Sequence, residues 1–325
     1  MKKFKKQGSA ILVVWSVVLL LSVNCFAKTT LRVGYLPILD HLTLFVSHAR
    51  DNASFQEITI EPKMFKSWGE MIGALKAEKI DACYILATLG MNLFNSEGDI
   101  TAVLLGHRDG AAITVKTDSA IASAGDLKGK SIAIPDRLST HTALLDAYLR
   151  TAELSLADVT TKVIAPPNMG KAMQKGRIDG FIVAEPFGTK AQDAGFGRIL
   201  VVSKDILQDH VECIVMVKKQ VLAENPAGIQ EWVESLIQAG KFTTQDSQAN
   251  GSKEIASIAA QYTPHSEQVI ISGLQTYPDL ISFDDLNPAI ADFQKVVDIA
   301  VRAGILSGID LKSFVDSQFY QQSSK

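Results

Sequence analysis

Long apolar runs are scarce in this chain. One stretch qualifies, residues 10–23, and it sits behind Lys2, Lys3, Lys5 and Lys6 and ahead of Cys25, Phe26 and Ala27. A charged start, a short apolar middle and a small residue at the end describe a secretory signal peptide cleaved after Ala27. A membrane span needs roughly 20 apolar residues, more than this run supplies. A retained anchor or a lipid on Cys25 is the alternative, and Val23 and Asn24 make poor company for lipid attachment. No further long apolar segment follows, so the exported chain is expected to be soluble, secreted or periplasmic.

Cysteine is scarce too, and so is positive charge. Three cysteines occur, and cleavage would leave Cys83 and Cys213, too few for a disulfide framework. Both lie in apolar strand-like strings, "DACYIL" and "ECIVMV", where packing is the expected role, although a single bridge between them stays open. Formal net charge is −3, and loss of the four leader lysines takes it to −7. An acidic chain lacks the basic face that phosphate binding needs, which excludes nucleic acid as an expected partner. Catalytic signatures are also missing: there is no Ser-His-Asp order, GxSxG elbow, phosphate loop or reactive-cysteine context, and "LGHRDG" is no nucleotide fingerprint. His41, His107, His141 and His210 all fall near strand ends or loops. None shows a close HxH or HxxxH spacing, so neither a metal nor a cofactor is expected.

What the chain does contain is a repeat. A shift of 98 residues lays Pro37 on Pro135, "LRVGYL" on "KGKSIAI", and "ALKAEKIDACYIL" on "AMQKGRIDGFIVA". Two separated segments therefore match at one offset without gaps. Each copy reads strand, loop, helix, strand, helix, strand. Leu42, Phe45, Val46 and Ala49 follow the i, i+3, i+4, i+7 pattern of an amphipathic helix, and Leu144, Leu145, Tyr148 and Leu149 do so in the second copy. Ser67 and Glu70 form a capping box ahead of a helix, and Asn168 is expected to cap the matching one. Strands alternating with helices imply α/β lobes with helices on both sheet faces. After "VECIVMVKK" the pattern becomes helical, with Pro226 placed to open a helix. The 298 residues left after cleavage suit two domains of ordinary size.

In such sheets ligands sit beyond the carboxyl ends of the strands, where helix N-termini present free N–H groups. The candidate cleft residues are those that follow strands: Asp40, His41, Trp68, Thr88, His107, Ser139, Thr140, His141, Asn168 and Glu185. Lys66, Ser67, Arg108 and Asp109 stand beside them. Asp40, Ser67, Ser139 and Asn168 could serve as helix caps alone. Trp68 suits stacking on a ligand or a place in the core. Glu185 ends an apolar strand, where an ionised carboxylate needs a partner, from a ligand or from Lys190 or Arg198.

The strings "LRVGYLP", "DLKGKSIAIPDRLSTHTALLDAYLRTAELSLADV" and "AMQKGRIDGFIVAEPFGTKAQDAGFGRIL" resemble the periplasmic substrate-binding proteins of ABC importers. The relatives in question serve nitrate, sulfonate, taurine, bicarbonate and thiamine precursors. The likeness runs from Leu31 to about Pro226. It implies an α/β, two-lobe periplasmic-binding-protein fold of type II, each lobe a mixed sheet flanked by helices, with a hinge between. By that resemblance, residues 28–112 and 213–325 form lobe 1, residues 113–212 form lobe 2, and crossovers fall near 111–116 and 212–217. Ligand contacts are implied at Asp40, His41, Trp68, Thr88, Ser139 to His141, and Glu185. A small-molecule ligand, an inner-membrane permease and a monomeric state are the implied partners and assembly. The mix of Asp40, Asp109 and Glu185 with Lys66, Arg108 and Arg137 suits a zwitterion or a nitrogen-containing organic ligand better than a bare anion. An enzyme on the same scaffold, using His41 or His141, and a sensor without transport are the competing readings.

Overall fold

The computed structural model describes residues 28–323; the segment assigned to a signal peptide lies outside them. The first stretch alternates β1 (Thr29–Tyr35), α1 (Leu42–Asp51), β2 (Ile58–Met64), α2 (Trp68–Lys76), β3 (Ala82–Leu86), α3 (Ala87–Glu97) and β4 (Ile100–Asp109). The second runs through β5 (Ala111–Lys116), β6 (Ser131–Ile134), α4 (Thr140–Arg150), β7 (Thr160–Val163) and α5 (Pro166–Gln174). It ends with β8 (Gly180–Ala184), α6 (Phe187–Asp193), β9 (Gly197–Val202) and the short α7 (Ser203–Ile206). After β10 (Val211–Lys218) come α8 (Lys219–Glu224), α9 (Pro226–Asn250), α10 (Lys253–Ala259) and α11 (Glu267–Gln275). The two-residue β11 (Ile281–Ser282), α12 (Ile290–Arg302), α13 (Leu311–Phe314) and α14 (Gln318–Ser323) complete the chain.

The repeat appears as two matching sheets. One is ordered β2-β1-β3-β10-β4-β11, the other β7-β6-β8-β5-β9. In each, three parallel strands are followed by one antiparallel strand that the chain supplies out of turn, β10 in the first and β5 in the second. The register repeats as well: Val33 lies opposite Pro62 and Gly34 opposite Lys63, as Ser131 lies opposite Thr160 and Ile132 opposite Thr161, again a shift of 98. The out-of-turn strands sit inside their sheets, and β4 and β10 are buried almost throughout. Each apolar side chain removed from water there contributes about 1.5–3 kcal/mol before entropy is counted.

The chain crosses between the sheets twice. The first crossing is a single residue, Gly110, with φ 108, preceded by Asp109 with φ 56. A Cβ on Gly110 would lie 3.1 Å from the His107 ring and 3.4 Å from Asp40 Oδ1, so both conformation and space require glycine there. The return crossing occupies residues 203–210 and includes Asp209 at φ 56. The two crossings are tied to each other: the Asp109 N–H donates to the His210 carbonyl at 3.0 Å, and the His210 N–H donates to Asp109 Oδ1 at 3.2 Å.

The last third packs its helices mainly on the first sheet's lobe. Asn225 caps α9, accepting from the Gly228 N–H at 2.9 Å, and Pro226 opens the helix as expected. Buried Ser235 of α9 meets Ser47 of α1 at 2.7 Å, and Tyr262 stacks on Phe45 at 5.0 Å. The helical stretch "LKSFVDSQFY" is broken into α13 and α14, because Val315 leaves helical geometry to bridge Ala102. From the same region Ser272 and Tyr277 reach across to Asp193 and Gln192 on the other lobe.

Gly180 tests the close packing of the second sheet. Its Cβ would come within 2.8 Å of the Thr114 carbonyl on β5 and 3.1 Å of Val115. Gly180→Ala should cost about 1–3 kcal/mol in urea unfolding through overpacking against backbone. An unchanged midpoint would contradict this approach of β8 to β5.

Candidate ligand cleft

Helix starts and strand ends converge between the two sheets. Ser139 caps α4 by accepting from the Thr142 N–H at 3.2 Å, and its hydroxyl donates to the Asp136 carbonyl at 2.8 Å. The first turn of α4 thereby presents Thr140 and His141 to the opposite lobe. There the Thr88 N–H donates to Thr140 Oγ1 at 3.3 Å, and the Thr88 hydroxyl donates to the Leu138 carbonyl at 2.6 Å. On the other side of the cleft the Leu39 N–H donates to the Glu185 carbonyl at 2.9 Å. The lobes are therefore in contact, and Asp40, His41, Thr88, His107, Ser139, Thr140, His141, Glu185, His210 and Glu212 are all fully buried.

Two ionisable groupings lie inside. His107 Nε2 is 3.2 Å from Asp40 Oδ2. Glu212 is held from both sides, with Oε1 2.9 Å from His141 Nε2 and Oε2 2.6 Å from His210 Nε2. His210 Nδ1 in turn lies 2.7 Å from Asp109 Oδ1. Cys213 Sγ is 3.8 Å from Asp40 Oδ2 and 3.9 Å from His41 Nε2. Glu212 and Cys213 are neighbours on β10, where register shifts on either side of Cys213 mark a bulge. Bulges re-aim side chains, and here adjacent residues both serve the same buried region.

Burial and pairing oppose each other in this network. Burial pulls the His210 imidazole down, but hydrogen bonds to Asp109 and Glu212 outweigh it and hold its pKa at about 10. Burial pushes Glu212 up, and His141 and His210 together reverse that, leaving it at about 2. Burial raises Asp40 despite His107, while His107 is raised by Asp40 despite burial. His41 is pushed well down by burial and by His107. Glu185 has weaker support: its carboxylate accepts from the Thr189 N–H, at 3.0 Å, and burial lifts it to about 7.

The candidate residues behave differently from one another. Asp40 caps nothing: the 3-10 turn Leu39–His41 starts from Ile38 and α1 from His41, each without a side-chain cap. Asn168 is a correction. It is exposed within α5, whose N-cap is Ala165, because Pro166 and Pro167 open that helix three residues earlier than the polar residue suggested. Trp68 is buried at the start of α2 with its ring edge-on to His41 at 6.0 Å, so it supports the cleft wall. Ser67 does cap α2, accepting from the Glu70 N–H at 3.3 Å. Glu185 is bound neither by Lys190 nor by Arg198; the latter donates to the Ser119 and Ile121 carbonyls.

The cations weighed against the acids face elsewhere. Lys66 and Arg137 are exposed. Arg108 is buried but spent, with Nη2 3.0 Å from Asp285 and 2.9 Å from Asp292. Among the described residues it is the sole buried lysine or arginine. Sequence reasoning passes over Glu212, gives Cys213 a packing role and leaves His210 among the histidines near strand ends. "HVEC" carried a signal, since His210 and Glu212 share an i, i+2 face and Glu212 is an acid in an apolar strand, the argument that picked out Glu185. Cys83 and Cys213 are free and buried on adjacent strands.

Two sheets of the same order, joined by two crossings over a polar cleft, define the periplasmic-binding-protein fold. The chain superposes on a ligand-binding component of an ABC-type import system from Staphylococcus aureus, with zinc bound. That match has a TM-score of 0.81 at 22% identity and covers 91% of this chain and 99% of that one. Periplasmic nitrate- and sulfonate-binding proteins share the fold, and so does a desulfurization enzyme. The profile of the NMT1-like family matches residues 26–260, and the chain belongs to that family. Among curated relatives, the nitrate import ATP-binding protein NrtC of Synechocystis is 26% identical over 241 residues, 67% of this chain and 36% of that protein. A putative aliphatic sulfonates-binding protein of Escherichia coli is 28% identical over 201 residues, 58% of this chain and 61% of that one. The chain thus spans about a third of the length of the first of these relatives. No described helix is long and apolar enough to cross a membrane.

Glu185 gives a pH prediction. Its folded pKa of about 7 lies above its ordinary 4.5, so the folded state binds more protons between those values and loses stability as pH rises through them. Glu185→Gln should remove that loss. Relative to the parent, the variant should gain on the order of 3 kcal/mol between pH 4.5 and pH 7.5 in denaturant melts. A difference that stays flat with pH would contradict a carboxyl buried without a cation.

Proposed function

We propose that this chain is the solute-binding component of an ABC importer, exported from the cell, which closes two lobes on a small polar ligand and presents it to a membrane permease. The observation that carries the reading is the fully buried polar lining drawn from both lobes, with Thr88 and Leu39 of one bonded to Thr140, Leu138 and Glu185 of the other. Such a surface is costly to bury empty-handed, and a ligand that pairs with it stabilises the closed state by its differential affinity. Membership of the NMT1-like family and likeness to importer components of the same fold support the transport role.

The lining also bears on ligand charge. A bare anion such as nitrate or a sulfonate would call for a free guanidinium or ammonium, and Arg108 is already committed to Asp285 and Asp292. Glu185, whose buried carboxyl has no cation beside it among the described residues, favours instead a ligand that donates hydrogen bonds or carries positive charge. Catalysis has less support. The Cys213 thiol is pushed well up by burial and by Asp40 and Glu212, the opposite of what a nucleophile needs.

Small-angle scattering with a thermal-shift screen tests the closing mechanism. A ligand that raises the melting temperature should also contract the protein, and Thr140→Ala should weaken its binding by about 3- to 10-fold through loss of a cross-lobe hydrogen bond. Tight binding without contraction would contradict closure.

A further inference from the structure

We propose that the cleft holds a divalent first-row transition-metal ion, bound by Asp40, His107 and Cys213. The proposal deepens the solute-binding reading and rests on it. One ligand-type atom from each of the three side chains lies within 4.8 Å of the others, and all three residues are fully buried. They come from three elements: the turn after β1, the end of β4, and β10. His107 and Cys213 are direct cross-strand partners in the β4–β10 ladder. Neighbouring Gly106 keeps that approach open, since a Cβ there would sit 3.3 Å from Cys213 Cβ.

The spacing matches a tetrahedral site. Bond lengths of about 2.0–2.3 Å to oxygen, nitrogen and sulfur put ligand atoms roughly 3.3–3.7 Å from one another. Asp40 Oδ2 is 3.2 Å from His107 Nε2 and 3.8 Å from Cys213 Sγ. Four further observations point to a ligand rather than to self-pairing. Asp40 Oδ1 and His107 Nε2 are buried and have no hydrogen-bond partner, although Asp40 and His107 are in contact. His107 Nδ1 lies 3.3 Å from the Arg108 carbonyl, which as a donor it would serve while leaving the Nε2 lone pair turned to the cluster. His41 Nε2, 3.9 Å from Sγ, stands beside the three as a further nitrogen, its Nδ1 held at Leu36. Finally, His141 Nδ1, whose other ring nitrogen faces Glu212, is likewise buried without a hydrogen-bond partner.

The donor set selects the ion. One carboxylate oxygen, imidazole nitrogen and a thiolate suit zinc and its first-row neighbours, whereas calcium and magnesium take oxygen alone. Metal binding would release the Cys213 proton, and the ion's own charge offsets the acids that surround that thiol.

The test uses the purified full chain, reduced and stripped with a chelator, then titrated with cobalt(II) under anaerobic conditions. One equivalent should bind, with the ligand-field spectrum of a tetrahedral site and a thiolate-to-cobalt charge-transfer band, and zinc should displace it. Cys213→Ser should abolish that band, and Asp40→Asn and His107→Gln should each weaken binding by at least about tenfold. Cys83→Ser, one strand away, should keep the band. Circular dichroism checks folding, and if Cys213→Ser fails to fold, the Asp40→Asn and His107→Gln affinities decide. No stoichiometric binding, a band that survives Cys213→Ser, or a band lost with Cys83→Ser would overturn the assignment. If metal fails while an organic ligand still contracts the protein, the metal assignment falls and the closing cleft stands. If neither the metal nor any screened compound contracts it, both fall.

Discussion

A carboxylate taken out of water must be paired, and the fold is arranged around that requirement at Glu212. It sits on a buried strand with an imidazole on each side, His210 beside it and His141 across the cleft. His141 belongs to α4 on the second sheet, while Glu212 belongs to β10 of the first, so the contact satisfying the charge also joins the lobes. Losing one partner of such a buried pair typically costs about 3–5 kcal/mol, because the other is left stranded. The crossings follow the same logic, with Asp109 and His210 bonded to each other where the chain changes sheet.

Around that contact the rest of the cleft is short of cations. Arg108, which the sequence places among the cleft residues, turns outward to Asp285 and Asp292 and anchors the segment before α12. Its absence from the cleft leaves the recognition chemistry to imidazoles, hydroxyls, carboxyls and one thiol. That set differs in kind from one built on guanidinium or ammonium groups. Trp68, fully enclosed against His41, shapes the wall of the cleft.

Much of the architecture was legible because it is periodic and repeated. The 98-residue offset survives as identical strand register in both sheets, and Pro226, Ser67 and Ser139 cap or open helices where local chemistry says they should. What was less legible depends on contacts between distant segments. Asp40, His107 and Cys213 meet only because β10 lies between β3 and β4, an adjacency that no short spacing encodes. Glu212 takes one of its partners, His141, from the other sheet, and Asn168 misled because two prolines start α5 before it. The break between α13 and α14 is illegible for the same reason, since Val315 answers to Ala102 on a strand far away in sequence.

The central claim is that the Glu212–His141 contact holds the two lobes together. Pulsed electron-spin distance measurement between labels at exposed Lys66 and Arg137, one on each lobe, tests it most directly when the parent is compared with Glu212→Gln. The account predicts a short distance in the parent and a shift toward longer, broader distances in the variant. A distribution that the substitution leaves unchanged, in a variant that still folds, would contradict it.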